Sequence, residues 1–275
     1  MSTPHAHPTK ADAFLALHAG PSPLLLPNPW DQGSARLFAW LGFEALATTS
    51  SGYAATLGRL DGSLDRAAVI AHAAAIVGAT DLPVSADLEN GFGDDPGAVA
   101  HTVRLALEAG LAGCSIEDFT GRPEDPIYDV TLAEERMAAA SETAHAGPAP
   151  LVLTGRAENY LHGRPDLEDT IARLQAYERA GADVLYAPGL TRLDDIVQVV
   201  ASVHRPVNVL ARPGGPTVSA LAGAGVARIS VGGALCFAAI GAVVEAAQEL
   251  QQHGTYGFLD RAAVGVKAAR AAFAP

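Results

Sequence analysis

Short apolar runs alternate with helical patterns along almost the whole chain. Eight runs of five or six residues, rich in Leu, Val and Ala, each lead through a turn into a segment with helical spacing. The predicted strands cover 24–28, 45–49, 83–88, 113–118, 151–156, 183–188, 207–211 and 227–232. The predicted helices cover 32–40, 64–77, 96–109, 132–144, 167–180, 193–202, 218–222 and 234–251. This alternation predicts a parallel sheet with right-handed crossovers, and eight units favour a closed (β/α)₈ barrel over an open sheet.

Residues at the helix ends support this pattern. Gly110, Gly181 and Gly225 each follow a helical stretch, as left-handed C-terminal caps do. Asp166 stands before an apolar-periodic run and has Asp169 three residues later, which resembles a capping box. No G-x-G-x-x-G motif opens a helix after the first strand, so the sequence does not favour a dinucleotide-binding fold.

The pattern predicts one domain over 1–275, with the barrel at about 24–252. An extra helix is expected over 12–18, and one or two more between 257 and 273. The most apolar helix, from Ala234, has about 11 residues before Glu245, fewer than the roughly 18 that span a bilayer. We therefore expect it in the barrel's shell or in a subunit interface, and expect no membrane partner.

Composition narrows the class of protein. The chain has 275 residues, of which 49% are hydrophobic and 17% charged, with a formal net charge of −12. This acidic balance argues against nucleic acid as a partner, because such binding needs an excess of Lys and Arg. The two cysteines, Cys114 and Cys236, have no metal-ligand spacing, and we expect a reduced, cytoplasmic protein.

Three carboxylates are predicted to meet at one edge of the barrel. In SADLENGFG, Asp87 and Glu89 lie two apart at a strand end and face the same way, inward because a lone acid facing the shell would be desolvated. Glu117 ends the next strand, and barrel active sites form at these ends. Each acid alone could cap a loop or helix, but the cluster favours all-oxygen ligation of Mg²⁺ or Mn²⁺. Asp118 faces the other way and is interpreted as structural.

Several segments in order resemble the isocitrate lyase/phosphoenolpyruvate mutase superfamily, and the pattern is most similar to its phosphonomutase-like branch. They read TTSSGYAATLGRLDG, VSADLENGFG, SIED, LTGRAENYL, RAGADVLYAPGL and NVLARPGGPTVSALAGAGVARISVGGAL, and the resemblance runs from about residue 24 to 251. It implies a (β/α)₈ barrel that binds Mg²⁺ and small 2-oxo acids. It also implies a homotetramer in which a C-terminal helix is exchanged between subunits.

The resemblance assigns roles by position. Asp87, Glu89 and Glu117 resemble the family's metal-binding acids, and Asp61 the acid that orders metal-bound water. The implied substrate-binding residues are Ser51, Gly52, Tyr53, Arg156 and Asn208; the implied catalytic residues are Arg156, Asp61, Glu158 and Tyr53. Residues 51–53 are expected to form an anion-binding loop, and Arg156 to close over the substrate. Glu158 is either an acid–base group or the partner that orients Arg156.

One segment departs from the family. The lyases carry a Lys-Lys-Cys-Gly-His loop after the fourth strand and the mutases carry Lys-Asn-Ser, whereas this chain has FTGRPEDPIYD at 119–129. Cys114 lies inside a strand and is expected to fill the core. Arg122, Glu124 and Asp125 either replace the missing groups or belong to a solvated lid. Three hypotheses follow: a Mg²⁺-dependent carbon–carbon lyase acting through an enolate, a P–C mutase or hydrolase, and a barrel that binds 2-oxo acids with little turnover.

Overall fold

The computed structural model describes residues 9–147 and 150–274. Within these ranges, eight parallel strands lie in the order β1-β8-β7-β6-β5-β4-β3-β2. The strands are β1 (Leu24–Leu26), β2 (Leu46–Ala47), β3 (Val84–Asp87), β4 (Gly113–Glu117), β5 (Val152–Arg156), β6 (Val184–Tyr186), β7 (Val207–Leu210) and β8 (Arg228–Ser230). The Ala47 N–H donates to the Pro27 carbonyl at 3.1 Å, so β1 and β2 nearly close the ring. The predicted (β/α)₈ fold is confirmed; residues 1–8, 148–149 and 275 of the predicted domain lie outside the described ranges.

The helices agree with the predicted segments to within a few residues, with one addition. They are α1 (Lys10–Ala16), α2 (Gln32–Trp40), α3 (Ser50–Thr56), α4 (Arg66–Val77), α5 (Pro96–Glu108), α6 (Val130–Ala144), α7 (Leu167–Arg179), α8 (Leu193–Ser202), α9 (Val218–Gly223), α10 (Ala234–His253) and α11 (Phe258–Ala272). Gly181, at φ +99°, adopts the left-handed cap conformation expected of it. Asp166 accepts from the Asp169 N–H at 3.1 Å and is an N-cap, but the reciprocal bond of a capping box is not formed, because the Asp166 N–H donates to the Arg164 carbonyl.

Helix α3 is the addition, in a stretch for which the sequence predicts a loop. The Thr49 hydroxyl accepts from the Gly52 N–H at 3.3 Å and caps the first turn. Gly52 sits there because of close packing: a Cβ at this position would lie 2.5 Å from Thr49 Cγ2. The glycine thus permits a tight helix start and does not mark a loop.

The core has two parts. A large cluster fills the space between the sheet and its helices, and Cys114 lies within it, fully buried as expected. A smaller cluster closes the N-terminal end of the barrel, where Phe14 packs with Leu24 and Val152. Phe14 lies so close to Gly113 that a Cβ there would meet its ring at 2.8 Å. The extra N-terminal segment is therefore a plug for one end of the barrel, and leaves the chemistry to the other end.

Helix α10 corrects one expectation. Its only buried residue is Cys236, while Phe237, Val243 and Val244 are 50%, 68% and 48% exposed. The helix is therefore not buried in its own barrel's shell, and the subunit-interface alternative remains a prediction. By length and mean hydropathy (1.2) α10 would also suffice to cross a membrane, because the helix continues past Glu245 to His253.

Candidate active site

The strand register brings the predicted residues to one end of the barrel. Asp87, the last residue of β3, pairs with Ser115 on β4. Glu117, the last residue of β4, pairs with Arg156, the last residue of β5. Because parallel strands end on the same side of the sheet, these side chains meet at the C-terminal mouth. They line two adjoining parts of one cavity.

Arg156 lies between the acids. Its Nη1 is 3.3 Å from Glu117 Oε2 and 3.4 Å from Asp87 Oδ1, and its Nε donates to Glu158 Oε1. Burial disfavours the charge on Arg156, but the charges of Glu158 and Glu117 outweigh it and raise its pKa. Burial raises the pKa of Glu117 well above its usual range, and Arg156 offsets this only in part. The site thus holds more negative charge than one guanidinium neutralises.

Glu89 shows the same excess of negative charge. Burial, then the charges of Asp87 and Asp61, raise the pKa of Glu89 to about 7. Its backbone is held at φ +48°, a conformation that side chains rarely adopt, in a loop that Arg136 clamps by donating to the Gly93 carbonyl at 2.6 Å. Glu89 Oε1 is buried and has no hydrogen-bond partner among the described residues. A buried acceptor without a donor indicates that a cation or water belongs beside it.

Asp61 reaches the cavity from the loop before α4. Its side chain remains open to solvent, but nearby atoms partly desolvate it, and this together with the charge of Asp87 raises its pKa. Asp87 itself accepts from the Ser50 hydroxyl at 3.1 Å. Ser50 was not predicted as a site residue; it lies beside the acid because α3 begins there.

The donor set fits a hard divalent cation. Mg²⁺ or Mn²⁺ would neutralise the carboxylates at the adjacent strand ends and would coordinate the unpartnered Glu89 oxygen. Such a cation would also favour the ionised form of the acids whose pKa values are raised. Within 9–147 and 150–274, no group of three or more His, Cys, Asp or Glu side chains is already arranged to hold a metal ion. The Arg156 guanidinium lies between Asp87 and Glu117 in this arrangement.

The predicted anion-binding loop is wrong as a loop, because residues 51–53 form the start of α3. Ser51 lines the cavity, but Gly52 and Tyr53 do not. The Tyr53 ring instead stacks on His72, with ring centroids 3.8 Å apart. Ser51 is thus the member of this trio on the cavity wall, and the substrate-binding roles of Gly52 and Tyr53 stay predictions.

Deeper in the barrel the cavity is lined by polar side chains from β6, β7 and β8. Asn208 is one of them, as predicted, and donates to the Ser230 hydroxyl at 3.1 Å. Tyr186 and Arg228 were missed, because within apolar strand runs a single Tyr or Arg gives no sign of facing inward. The Arg156 guanidinium carbon lies 5.2 Å from the Tyr186 ring centroid.

Glu158 is fixed from three sides. Its carboxylate accepts from Arg156, His162 Nε2 lies 3.2 Å from its Oε2, and its backbone N–H donates to Asp118 Oδ1 at 2.7 Å. Burial opposes ionisation of Glu158, but the charge of Arg156 prevails and lowers its pKa. An ionised Glu158 paired with Arg156 supports the orienting alternative. His162, which was not predicted as a site residue, also lines the cavity. Its ring stacks on that of Phe119, with ring centroids 3.6 Å apart.

Asp118 is structural, as interpreted. Its carboxylate accepts from the Tyr177 hydroxyl at 2.6 Å and from Arg173 Nη1 at 3.1 Å, behind the sheet. This network fixes the backbone of Glu158 and therefore the partner of Arg156.

The loop at 119–129, whose sequence departs from the family pattern, is folded onto itself. The Thr120 N–H donates to the Pro126 carbonyl at 2.8 Å, and the Thr120 hydroxyl to the Asp125 carbonyl at 2.5 Å. Arg122 pairs with Asp94 at 2.9 Å, and neither it, Asp125 nor Glu124 lines the cavity. These three residues do not supply the missing acid–base group in this conformation.

A nearly closed (β/α)₈ barrel whose strand ends carry acids and a buried arginine around a polar cavity has the arrangement of a barrel enzyme's active site. The comparisons give the particular family. The family model of phosphoenolpyruvate phosphomutase matches residues 14–251, and the chain belongs to that family. It is therefore an enzyme of the isocitrate lyase/phosphoenolpyruvate mutase superfamily, and the resemblance seen in the sequence is confirmed.

Individual relatives agree. A solved structure from Burkholderia cenocepacia J2315, described as a lyase/mutase, is 55% identical and covers 97% of this chain and 96% of its own, with a TM-score of 0.93. The oxaloacetate decarboxylase of Chromohalobacter salexigens is 29% identical over 90% of this chain and 88% of its own length. A solved oxaloacetate acetylhydrolase in complex with oxalate is 25% identical and covers 96% of this chain and 94% of its own, with a TM-score of 0.85.

Proposed function

We propose that the protein is a Mg²⁺-dependent lyase that cleaves a carbon–carbon bond of a small 2-oxo or 2-hydroxy polycarboxylate through an enolate. The observation behind this is the placement of Arg156, which Glu158 orients at the mouth of the cavity between Asp87 and Glu117. Two of the relatives described above, the decarboxylase and the acetylhydrolase, are named for oxaloacetate, which is a 2-oxo dicarboxylate.

Arg156 is suited to the charge that such a cleavage creates. Retro-aldol cleavage or decarboxylation next to a carbonyl leaves the electron pair of the broken bond on an enolate. A guanidinium that is already oriented and partly buried stabilises an enolate oxygen more than a neutral ketone, because the enolate carries more charge. The Glu158 carboxylate and His162 keep this guanidinium in place. The lowering of the barrier is therefore assigned to Arg156.

Asp87, Glu89 and Glu117 would hold the cation, Mg²⁺ or Mn²⁺, and Asp61 would order water beside it. When bound, the cation supplies positive charge that polarises a carbonyl oxygen. Asn208 and Ser51 contribute an amide and a hydroxyl to the wall of the same cavity and are assigned to substrate binding. The proposed substrate is thus surrounded by groups that suit a small oxygen-rich anion.

P–C bond chemistry is the second candidate, because the matching family model is that of a phosphomutase. One experiment separates the two. Purified protein with Mg²⁺ is incubated with oxaloacetate, 2-methylisocitrate and phosphonopyruvate, and the products are followed by ¹H and ³¹P NMR. Turnover of a carboxylate above the Mg²⁺-only rate, and its loss on adding a chelator, supports the lyase. Turnover of phosphonopyruvate alone would replace the lyase proposal with P–C chemistry. Mg²⁺-dependent binding of a 2-oxo acid without turnover of any of the three compounds would indicate a binding protein.

A further inference from the structure

Arg228 is a buried cation without a carboxylate. It is the first residue of β8, is 4% exposed, and lies within 4.0 Å of no carboxylate oxygen of the described residues. Burial lowers its pKa to about 10. Burying a charge without an opposite charge beside it is strongly unfavourable, so a site that keeps one has a use for it.

The contacts of Arg228 satisfy some of its N–H donors but do not neutralise its charge. Nε donates to Asn208 Oδ1 at 3.0 Å, and Nη2 donates to the Thr154 hydroxyl at 3.2 Å. Nη1 lies 3.3 Å from His18 Nε2. Burial and the charge of Arg228 lower the pKa of His18 to about 4, so this ring is neutral near pH 7 and accepts at Nε2, while Nδ1 donates to the Phe14 carbonyl. A guanidinium has five N–H donors, and three are used here.

Arg228 also faces the same cavity as the acids, from its deep end. It lines that cavity together with Asn28, Ser115 and Ser230, which are neutral. Ser230 is two residues nearer the mouth on the same strand, so Arg228 lies below it. The cavity therefore has acids and Arg156 at the mouth, and an unneutralised positive charge at the floor.

We propose that Arg228, with Asn208, is a specificity-determining subsite for a second carboxylate, so that the enzyme prefers 2-oxo dicarboxylates over 2-oxo monocarboxylates of the same size. This deepens the proposed lyase function and rests on it. The metal-binding end holds the 2-oxo acid group, and the remote carboxylate accepts from the unused N–H groups of Arg228. A charge-assisted bond of this kind changes affinity by about 10-fold or more.

The test uses two ligands that differ in one group. 3,3-Difluorooxaloacetate has two carboxylates, and 3,3-difluoro-2-oxobutanoate has a methyl group in place of the second. Both are titrated calorimetrically into the Mg²⁺-loaded protein. We expect the wild type to bind the dicarboxylate about 10-fold or more tightly. Arg228→Met should remove this preference and leave the affinity for the monocarboxylate within about 3-fold, since only the charge-assisted bond is lost.

The controls keep the outcomes separate. Arg205→Met removes an exposed arginine from the loop before β7 and should leave both affinities unchanged. Arg228→Lys, which keeps the charge but loses the fork, should retain part of the preference and serves if the Met variant does not fold. Equal wild-type affinities, or equal losses for both ligands, would overturn the subsite while the lyase proposal stands. If neither ligand binds in a Mg²⁺-dependent manner, both the subsite and the lyase proposal are overturned.

Discussion

The Nη1 atom of Arg156 lies 3.3 Å from Glu117 Oε2, at the point where the last residues of β4 and β5 are in register. This pair joins the predicted metal site to the predicted substrate clamp. A substitution of either residue therefore affects both the metal site and the substrate clamp. The first two predictions separate metal binding from substrate binding and catalysis.

Replacing Glu89 or Glu117 with Ala should weaken Mg²⁺ binding by about 10-fold or more, because each removes one charged oxygen ligand from a small site. The fold should survive, since the core is unchanged. Calorimetric titration with Mg²⁺ measures the effect. Glu124→Ala, which removes an exposed acid outside the cavity, is the matched control. Wild-type affinity in both site variants would remove the metal assignment.

Arg156→Lys should lower turnover by on the order of 10²-fold, as the loss of an oxyanion donor does, and weaken 2-oxo acid binding to a smaller extent. Lysine keeps the charge but loses the planar fork that Glu158 orients. The measurements are kcat on the active substrate and 2-oxo acid affinity by calorimetry, with Arg205→Lys as control. If binding falls and kcat does not, Arg156 is a ground-state clamp only.

Asp118→Asn should destabilise the protein by roughly 3 kcal/mol, because it breaks a buried ion pair and leaves Arg173 without its inner partner. Urea unfolding measures the change. Asp194→Asn alters an exposed pair, Arg192–Asp194, with side chains 74% and 90% exposed, and should cost less than about 1 kcal/mol. Equal costs for the two variants would show that the Asp118 network is not a source of stability.

Stability should fall as the pH is lowered from about 6.5 to about 4, in part because of His18. The unfolded ring takes up a proton below 6.5, whereas the folded ring does so only below about 4. Within this window the unfolded chain binds more protons, so acid favours unfolding, by up to about 3 kcal/mol. His18→Gln should show a smaller loss between pH 7.5 and 4.5 in urea unfolding. Identical pH dependence would mean that His18 is not buried in neutral form.

The exposed apolar face of α10 predicts an oligomer, a tetramer by family resemblance. Phe237, Val243 and Val244 would bury this face against another subunit. Analytical ultracentrifugation at micromolar concentration should show the assembly, and Val243→Glu should weaken it. Glu142→Lys, which changes an exposed charge on α6 and not on a C-terminal helix, is the control. A monomeric wild type would contradict the prediction.

The fold was predictable because each strand is a short apolar run and eight of the eleven helices in the described ranges begin at a side-chain N-cap, which acts locally. Asp87, Glu117 and Arg156 could be placed at the mouth for the same reason: they are the last residues of their strands. Helix α3 could not be predicted, since Gly52 reads as a loop residue unless the packing of Thr49 against it is known.

The rest of the site depends on contacts between distant segments. Tyr53 resembles a substrate-binding residue by position, but its ring packs on His72 of α4. His162 and Arg228 gave no local signal, because their importance comes from Glu158 and from the absence of a nearby carboxylate, respectively. Sequence patterns identify charged strand ends well, and they do not show which interior polar side chains find partners.

The contact between His18 and Arg228 joins residues 210 positions apart. The floor of the cavity therefore cannot form until β8 has been synthesised and has paired with β1. A ribosome-bound chain that lacks its last strand holds the acids, the clamp and most of the barrel, yet has no closed pocket. Such non-local closure slows folding, so the half-made barrel stays open, with its apolar interior exposed, until the last strand has paired.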